Sequence, residues 1–194
     1  MSNLTELPLF PLKTVLFPGG PLPLRIFEAR YLDMVSRCLK DDAGFGVCLI
    51  HEGEETGTAA FHRFGTVARI RDWGNTPEGL LAVIAVGTET CFRIHELRVQ
   101  PDRLNVGLVE LLDPEPSEKL DEMYEPFAEL LRDLFDRLPD YYALVERRFD
   151  DAAWVSCRLA ELLPLNLPQK QYLLELHDPR QRLEILRPLL ASLR

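Results

Sequence analysis

The sequence predicts an α+β fold: a small, partly closed β-barrel with one early helix, followed by a helical bundle. Three observations lead there. Short apolar runs separated by turn residues recur at regular spacing as far as Leu112, as in small barrels. A single amphipathic stretch interrupts them early. Beyond "LLDPEPSEKL" (residues 111–120) the apolar spacing becomes helical almost to the end. The expected division is a barrel over residues 1–113 and a helical part over residues 114–194.

The elements follow in order. Residues 7–12 suit a strand whose prolines place it near a sheet edge. The stretch "FPLKTVLFPGGPLPLRIFEARY" (residues 10–31) is too broken by proline for a long helix, and Gly19-Gly20 permits a turn with positive φ. "EARYLDMVSRCLK" suits a helix with Leu32, Val35 and Leu39 on one face, Glu28 at its N-terminus and Lys40 at its C-terminus. "FGVCLI" reads as a strand buried on both faces. "TVARIRDW", "GNTPEG" and "LLAVIAVG" make a hairpin. "CFRIHEL" alternates, with Phe92 and Ile94 on one face and Arg93 and His95 on the other, and "LNVGLVELL" adds one more strand.

In the second part, apolar residues from Leu120 to Leu138 recur at helical spacing. A further helix carries Trp154, Val155, Leu159, Leu162 and Leu163 before Pro164 ends it. Another starts near Pro168. The last opens on Asp178 as N-cap with Pro179 at the first helical position and Gln181 in the capping-box place, and Pro188 should kink it.

Composition narrows the function. The formal net charge of -9 and the pI near 5.0 disfavour a general nucleic-acid binder, which needs a basic face for phosphates. Lys13 and the prolines argue against a signal peptide, and no apolar run is long enough for a bilayer, so a cytoplasmic address is expected. Cys38, Cys48, Cys91 and Cys157 lie far apart without a CxxC pair and are expected to be buried free thiols.

Residues that could carry chemistry are few. "HEGEE" (residues 51–55) with His62 is the densest set of possible ligands, but it is not HExxH and Gly53 breaks the helix such a motif needs. A solvated acidic loop is expected, with surface or capping roles for His95 and His177 and, for Trp73, core or edge packing ahead of a place in a ligand groove. There is no GxxxxGK[ST] segment to cradle phosphates and no GxSxG elbow. Ser117 near Lys119 suits a helix start better than a catalytic dyad. No metal or cofactor is implied.

The order and spacing of "LPLFPLKTVLFPGGPLPLRIFEARYLDMVSRCL", "FGVCLI", "GTVARI", "GTETCFRIHEL" and "LAELLPLNLPQKQYLLELHDPRQRLEIL" resemble the N-terminal substrate-binding domain of the Lon proteases. The resemblance implies a PUA-like barrel followed by helices. It also implies a stand-alone, non-catalytic module that binds unfolded or partner polypeptides without the family's ATPase and protease domains. It makes the opening stretch a strand, a Pro/Gly-rich crossing loop and the first helix. Part of that stretch should be core, and Leu16, Phe17, Leu22, Leu24, Phe27 and Tyr31 are the candidates for an apolar strip open to a peptide. Two other readings stand beside it: a small-molecule or hydrolytic site in a barrel–helix cleft, and PUA-like RNA binding, which the acidic charge disfavours.

Overall fold

The alternating apolar runs become six strands whose pairing closes a ring. The computed structural model describes residues 4–53 and 60–191. Its strands are β1 (Leu4–Leu12), β2 (Pro21–Ile26), β3 (Phe45–Glu52), β4 (Ala60–Asn75), β5 (Leu81–Val99) and β6 (Asn105–Leu111). They are ordered β2-β5-β4-β3-β1-β6, and β6 pairs again with β5. Five strands thus form the barrel, while β2 hangs outside it on the first half of β5. β1 and β3 pair in parallel, which needs a crossover, and β2 with the first helix supplies it.

Two strands expected separately, "LLAVIAVG" and "CFRIHEL", are one continuous 19-residue β5. Irregular register against β4 between Thr66 and Ala68 lets the strand bend around the barrel instead of ending. The stretch expected as a crossing loop likewise contains a strand. Pro21 to Ile26 pair with Val86 to Leu81, so the prolines mark an edge strand there and not a loop. The six residues of "FGVCLI" are all buried, as a strand covered on both faces should be.

Helix α1 (Ala29–Asp41) buries Tyr31, Met34, Val35 and Cys38. That set is an i, i+3, i+4, i+7 stripe, turned inward because the Tyr31 ring stacks on Phe10 at 3.9 Å. Leu32 and Leu39, expected on the inner face, are 38% and 42% exposed. A 3-10 turn (Glu122–Tyr124) precedes α2 (Glu125–Phe135), and α3 (Ala152–Leu162), α4 (Leu167–Glu175) and α5 (Pro179–Ala191) follow. Helix α2 thus starts later than the apolar spacing implied, with Pro126 in its first turn. Side chains cap α3, α4 and α5: Asp151 accepts from Ala153 and Trp154, Asn166 and Gln169 form a capping box, and Asp178 accepts from Arg180 and Gln181. Pro188 lies inside α5, which continues to Ala191.

Three apolar clusters hold these elements. Leu7, Leu9, Cys48, Phe92, Ile94 and Val109 fill the barrel. A second cluster packs Phe10, Leu16, Leu22, Ile26 and the inner face of α1 against the outside of β3, β4 and β5. The third is the helical core, and it takes in Val15, Phe17, Leu49, Phe64 and Cys91 from the barrel side. Leu16 and Phe17 are neighbours in sequence and enter different cores, so the irregular segment between β1 and β2 joins the two parts.

Candidate polypeptide-binding groove

The open edge of β2 faces a groove. Phe10 and Leu12 of β1, Leu22, Leu24 and Ile26 of β2, and Tyr31 of α1 provide its apolar lining, and Lys13, Arg25, Phe27 and Glu28 flank them. Its volume is about 280 Å³. Past Leu22 and Pro23 it adjoins a hollow of about 340 Å³ lined by Thr14, Val15, Leu16, Tyr141, Tyr142 and Glu161. Alternation along β2 builds the wall: Leu22 and Ile26 are buried and Leu24 half-buried, whereas Pro23, Arg25 and Phe27 are exposed.

The six residues expected to form an exposed strip divide. Phe17 is fully buried in the helical core and leaves the site. Leu16, Leu22 and Tyr31, between 3% and 7% exposed, are core side chains rather than projecting ones. Leu16 lines the adjoining hollow, and Leu22 and Tyr31 line the groove. The physical reason is that three consecutive apolar residues, Val15 to Phe17, bridge two cores, and β2 turns every second side chain inward. Leu24 and Phe27 remain accessible, and Phe27 is 59% exposed.

The backbone restricts how the groove can bind. The Gly87 N–H donates to the Gly20 carbonyl, so even-numbered residues of β2 turn toward β5 and Pro21, Pro23 and Arg25 turn to the open edge. Two of those three have no N–H to offer. The edge is therefore a poor template for strand addition.

Two ion pairs lie at and beneath the groove. Glu28 and Arg30 form a 2.8 Å ion pair, as a local pairing of these residues would have it, and the Arg30 guanidinium lies 4.6 Å from the centre of the Tyr31 ring. Beneath the segment before β2, Arg158 is fully buried and donates to the Pro18 carbonyl at 2.9 Å while pairing with Glu161 at 2.9 Å. Gly19 takes φ 71°, a left-handed turn. Gly20 has no such φ and is needed for space, since a Cβ there would run into Glu161 Oε2 and meet Arg158 Nη2 at 2.9 Å. Both arginines of the helical core, Arg158 and Arg182, escaped the sequence reading.

The other candidates sit apart. The His51 and His62 rings meet edge-on at 5.4 Å, and His62 lies 3.7 Å from Glu175. Glu54 and Glu55 fall outside the described residues, and among the described residues no group of three or more His, Cys, Asp or Glu could hold a metal. His95 pairs with Glu110 at 3.1 Å on the surface. Ser117 donates to Asp151 at 2.8 Å and so braces the cap of α3 instead of starting a helix. All four thiols are free and buried, and burial pushes that of Cys91 up to about 12. Trp73 stands 61% exposed on the hairpin, where packing was expected.

Residues 6–192 match the family model described as the ATP-dependent protease La (LON) substrate-binding domain. The chain belongs to this family. Among solved structures, the Lon N-terminal domain protein from Xanthomonas campestris is 39% identical with a TM-score of 0.77, covering 95% of this chain and 98% of that one. The N-terminal domain of the Mycobacterium avium complex Lon protease shares the fold at TM-score 0.64 and 21% identity, over 94% of this chain and 96% of that one. Lon protease 2 of Myxococcus xanthus is 27% identical over 95% of this chain and 23% of its own length. Protein cereblon of Danio rerio is 31% identical over 57% of this chain and 26% of its own length. The chain thus spans about a quarter of the length of the curated Lon relatives it matches. Among the described residues, no helix is long and apolar enough to cross a membrane.

Proposed function

We propose that this LON substrate-binding-family domain binds extended polypeptide segments in the groove along β2, acting by binding and not by catalysis. The observation that carries the reading is an apolar lining with an exposed Phe27 at the border of an edge strand that templates a sheet poorly. An incoming apolar side chain would cover Phe27 and Leu24 and contact Leu22 and Tyr31, gaining on the order of 25 cal/mol per Å² removed from water. Such binding is broad, because few polar groups there select a partner. The test is titration of a permanently unfolded model protein against the wild type and Phe27→Ser. Saturable binding that weakens in the variant supports the groove, and equal binding by both removes it. The purified domain is expected to hydrolyse neither ATP nor peptides, and turnover of either would contradict a binding module.

A second reading comes from a cavity of about 690 Å³ lined by the first half of β1, by α1 and by residues of β4, β5 and β6. That volume suits a small molecule. Its wall mixes Leu7, Met34, Leu104 and Val106 with Glu6, Arg37, Asp41 and Arg69. Among the described residues, no buried polar atom left without a partner belongs to that wall. Stabilisation by a small molecule that Met34→Trp abolishes would favour the cavity.

A further inference from the structure

We infer that the junction between barrel and helices binds one ordered internal water as a shared hydrogen-bonding hub. A cavity of about 10 Å³ is lined there by Pro18, Glu89, Glu115, Arg148, Trp154 and His177, among others. Of the buried side-chain nitrogens without a hydrogen-bond partner among the described residues, three belong to this wall: Arg148 Nε, Trp154 Nε1 and His177 Nδ1. Trp154 is 4% exposed, so bulk solvent does not serve its indole N–H. A native interior seldom leaves such groups unpaired, and three on residues that line one small space point to a common partner.

Size, charge and hydrogen-bonding capacity each narrow that partner. The volume accommodates a single water and nothing larger. The cations and carboxylates of the wall are already matched: Arg148 pairs with Glu89, and Glu115 pairs with Arg182 at 2.5 Å. A neutral occupant therefore suits the site better than an ion. A metal ion would meet the indole and guanidinium N–H groups, and an anion would meet Glu89 and Glu115. Water matches both kinds of neighbour. It can accept from Trp154 Nε1 and Arg148 Nε and donate to a carboxylate oxygen. Its other proton can go to His177 Nδ1, which accepts in the tautomer protonated at Nε2. His177 Nδ1 lies 3.6 Å from Glu115, too far for a direct hydrogen bond and close enough for both to reach one water.

The position gives this water a role. Pro18 belongs to the segment that joins the two cores, Glu89 to β5, Glu115 to the linker, Trp154 to α3, and His177 to the corner between α4 and α5, where φ is 50°. One molecule would tie barrel, linker and helices together beside the Arg148–Glu89 and Arg182–Glu115 pairs.

The chain contains two tryptophans, so its indole N–H spectrum has two signals, and a Trp73→Phe variant assigns them. The Trp154 N–H is expected to show a direct nuclear Overhauser effect to water, with the sign given by a molecule that stays longer than the protein tumbles. A high-resolution crystal structure of the full chain should show one density peak within hydrogen-bonding distance of Trp154 Nε1. No water effect at Trp154, a cavity closed by side chains, or anomalous density there from a bromide soak would each overturn the assignment.

Discussion

Replacing Phe27 and Phe17 separately by serine tests which part of the opening stretch is surface and which is scaffold. Phe17 is fully buried among the helical core residues, and truncating such a ring costs about 3–5 kcal/mol. At about 2–4 °C per kcal/mol for a chain of this size, its melting temperature should fall by roughly 6–20 °C. Phe27 is 59% exposed, so its loss should shift melting little. Its effect belongs to binding. Covering the exposed part of a phenylalanine removes on the order of 100 Å², worth at most ~2.5 kcal/mol at about 25 cal/mol per Å². Ordering side chains at the contact returns roughly 0.5–1.5 kcal/mol, leaving about 1–2 kcal/mol. That is roughly a 5–30-fold weaker Kd for an unfolded model protein. Calorimetric melting and fluorescence titration of both variants read the two quantities separately. The reasoning is refuted if Phe27→Ser melts as low as Phe17→Ser, or if it binds as tightly as the wild type.

Gly20→Ala should destabilise by about 1–3 kcal/mol, because its Cβ would press on the buried Arg158–Glu161 pair, whereas Gly74→Ala, with nothing within 4 Å, should be near neutral in the same urea titration. Arg182→Leu strands the Glu115 carboxylate, whose side chain is 9% exposed, and should cost about 3–5 kcal/mol. Adding Glu115→Leu should recover much of that loss, and a double variant no better than the single one would deny the coupling. Burial, and then the hydrogen bond to Glu184, push the Tyr124 phenol up to about 12. The folded state therefore keeps a proton that the unfolded state loses near pH 10, so this stabilisation is complete below about 10 and is lost as the pH rises toward 12. Phenolate absorbance should show a late step that Tyr124→Phe removes. Finally, barrel and helices are proposed to unfold together, since one apolar cluster contains residues of both; two separated calorimetric transitions would contradict this.

Much of the fold was legible because its signals are local. Alternation placed the strands, and Asp178-Pro179 carried its own instruction for a helix start. What escaped depended on distant partners. The stripe of α1 could have included Leu32 and Leu39, and the stacking of Tyr31 on Phe10 turns the helix the other way. Pro21 and Pro23 argue for a loop when read alone; only the ladder to β5, some sixty residues onward, makes them an edge strand. The helical arginines had a visible signal. Arg158 stands among Trp154, Val155, Leu159 and Leu162, where a charge needs a paired, buried reason.

The candidate site was harder to read for a related reason. In "VLFPGGPLPLRIF" every apolar residue looks equally available, and the assignment follows from what the segment must join. Val15, Leu16 and Phe17 enter two cores within three residues, which no regular element does, so Gly19 and Gly20 are spent on turning the chain and on clearing Arg158. Only after that bridge can β2 lie outside the barrel, with one row of side chains inward and Phe27 left at its end. The same prolines that disguised the strand also limit its edge. A surface meant to hold unfolded chains has to attract apolar side chains without offering a ladder on which those chains could stack into sheet. Pro21 and Pro23 withhold the N–H groups such a ladder needs, while Leu24 and Phe27 keep the attraction. The composition that hid the element from the sequence reading is thus what suits it to the work proposed for it.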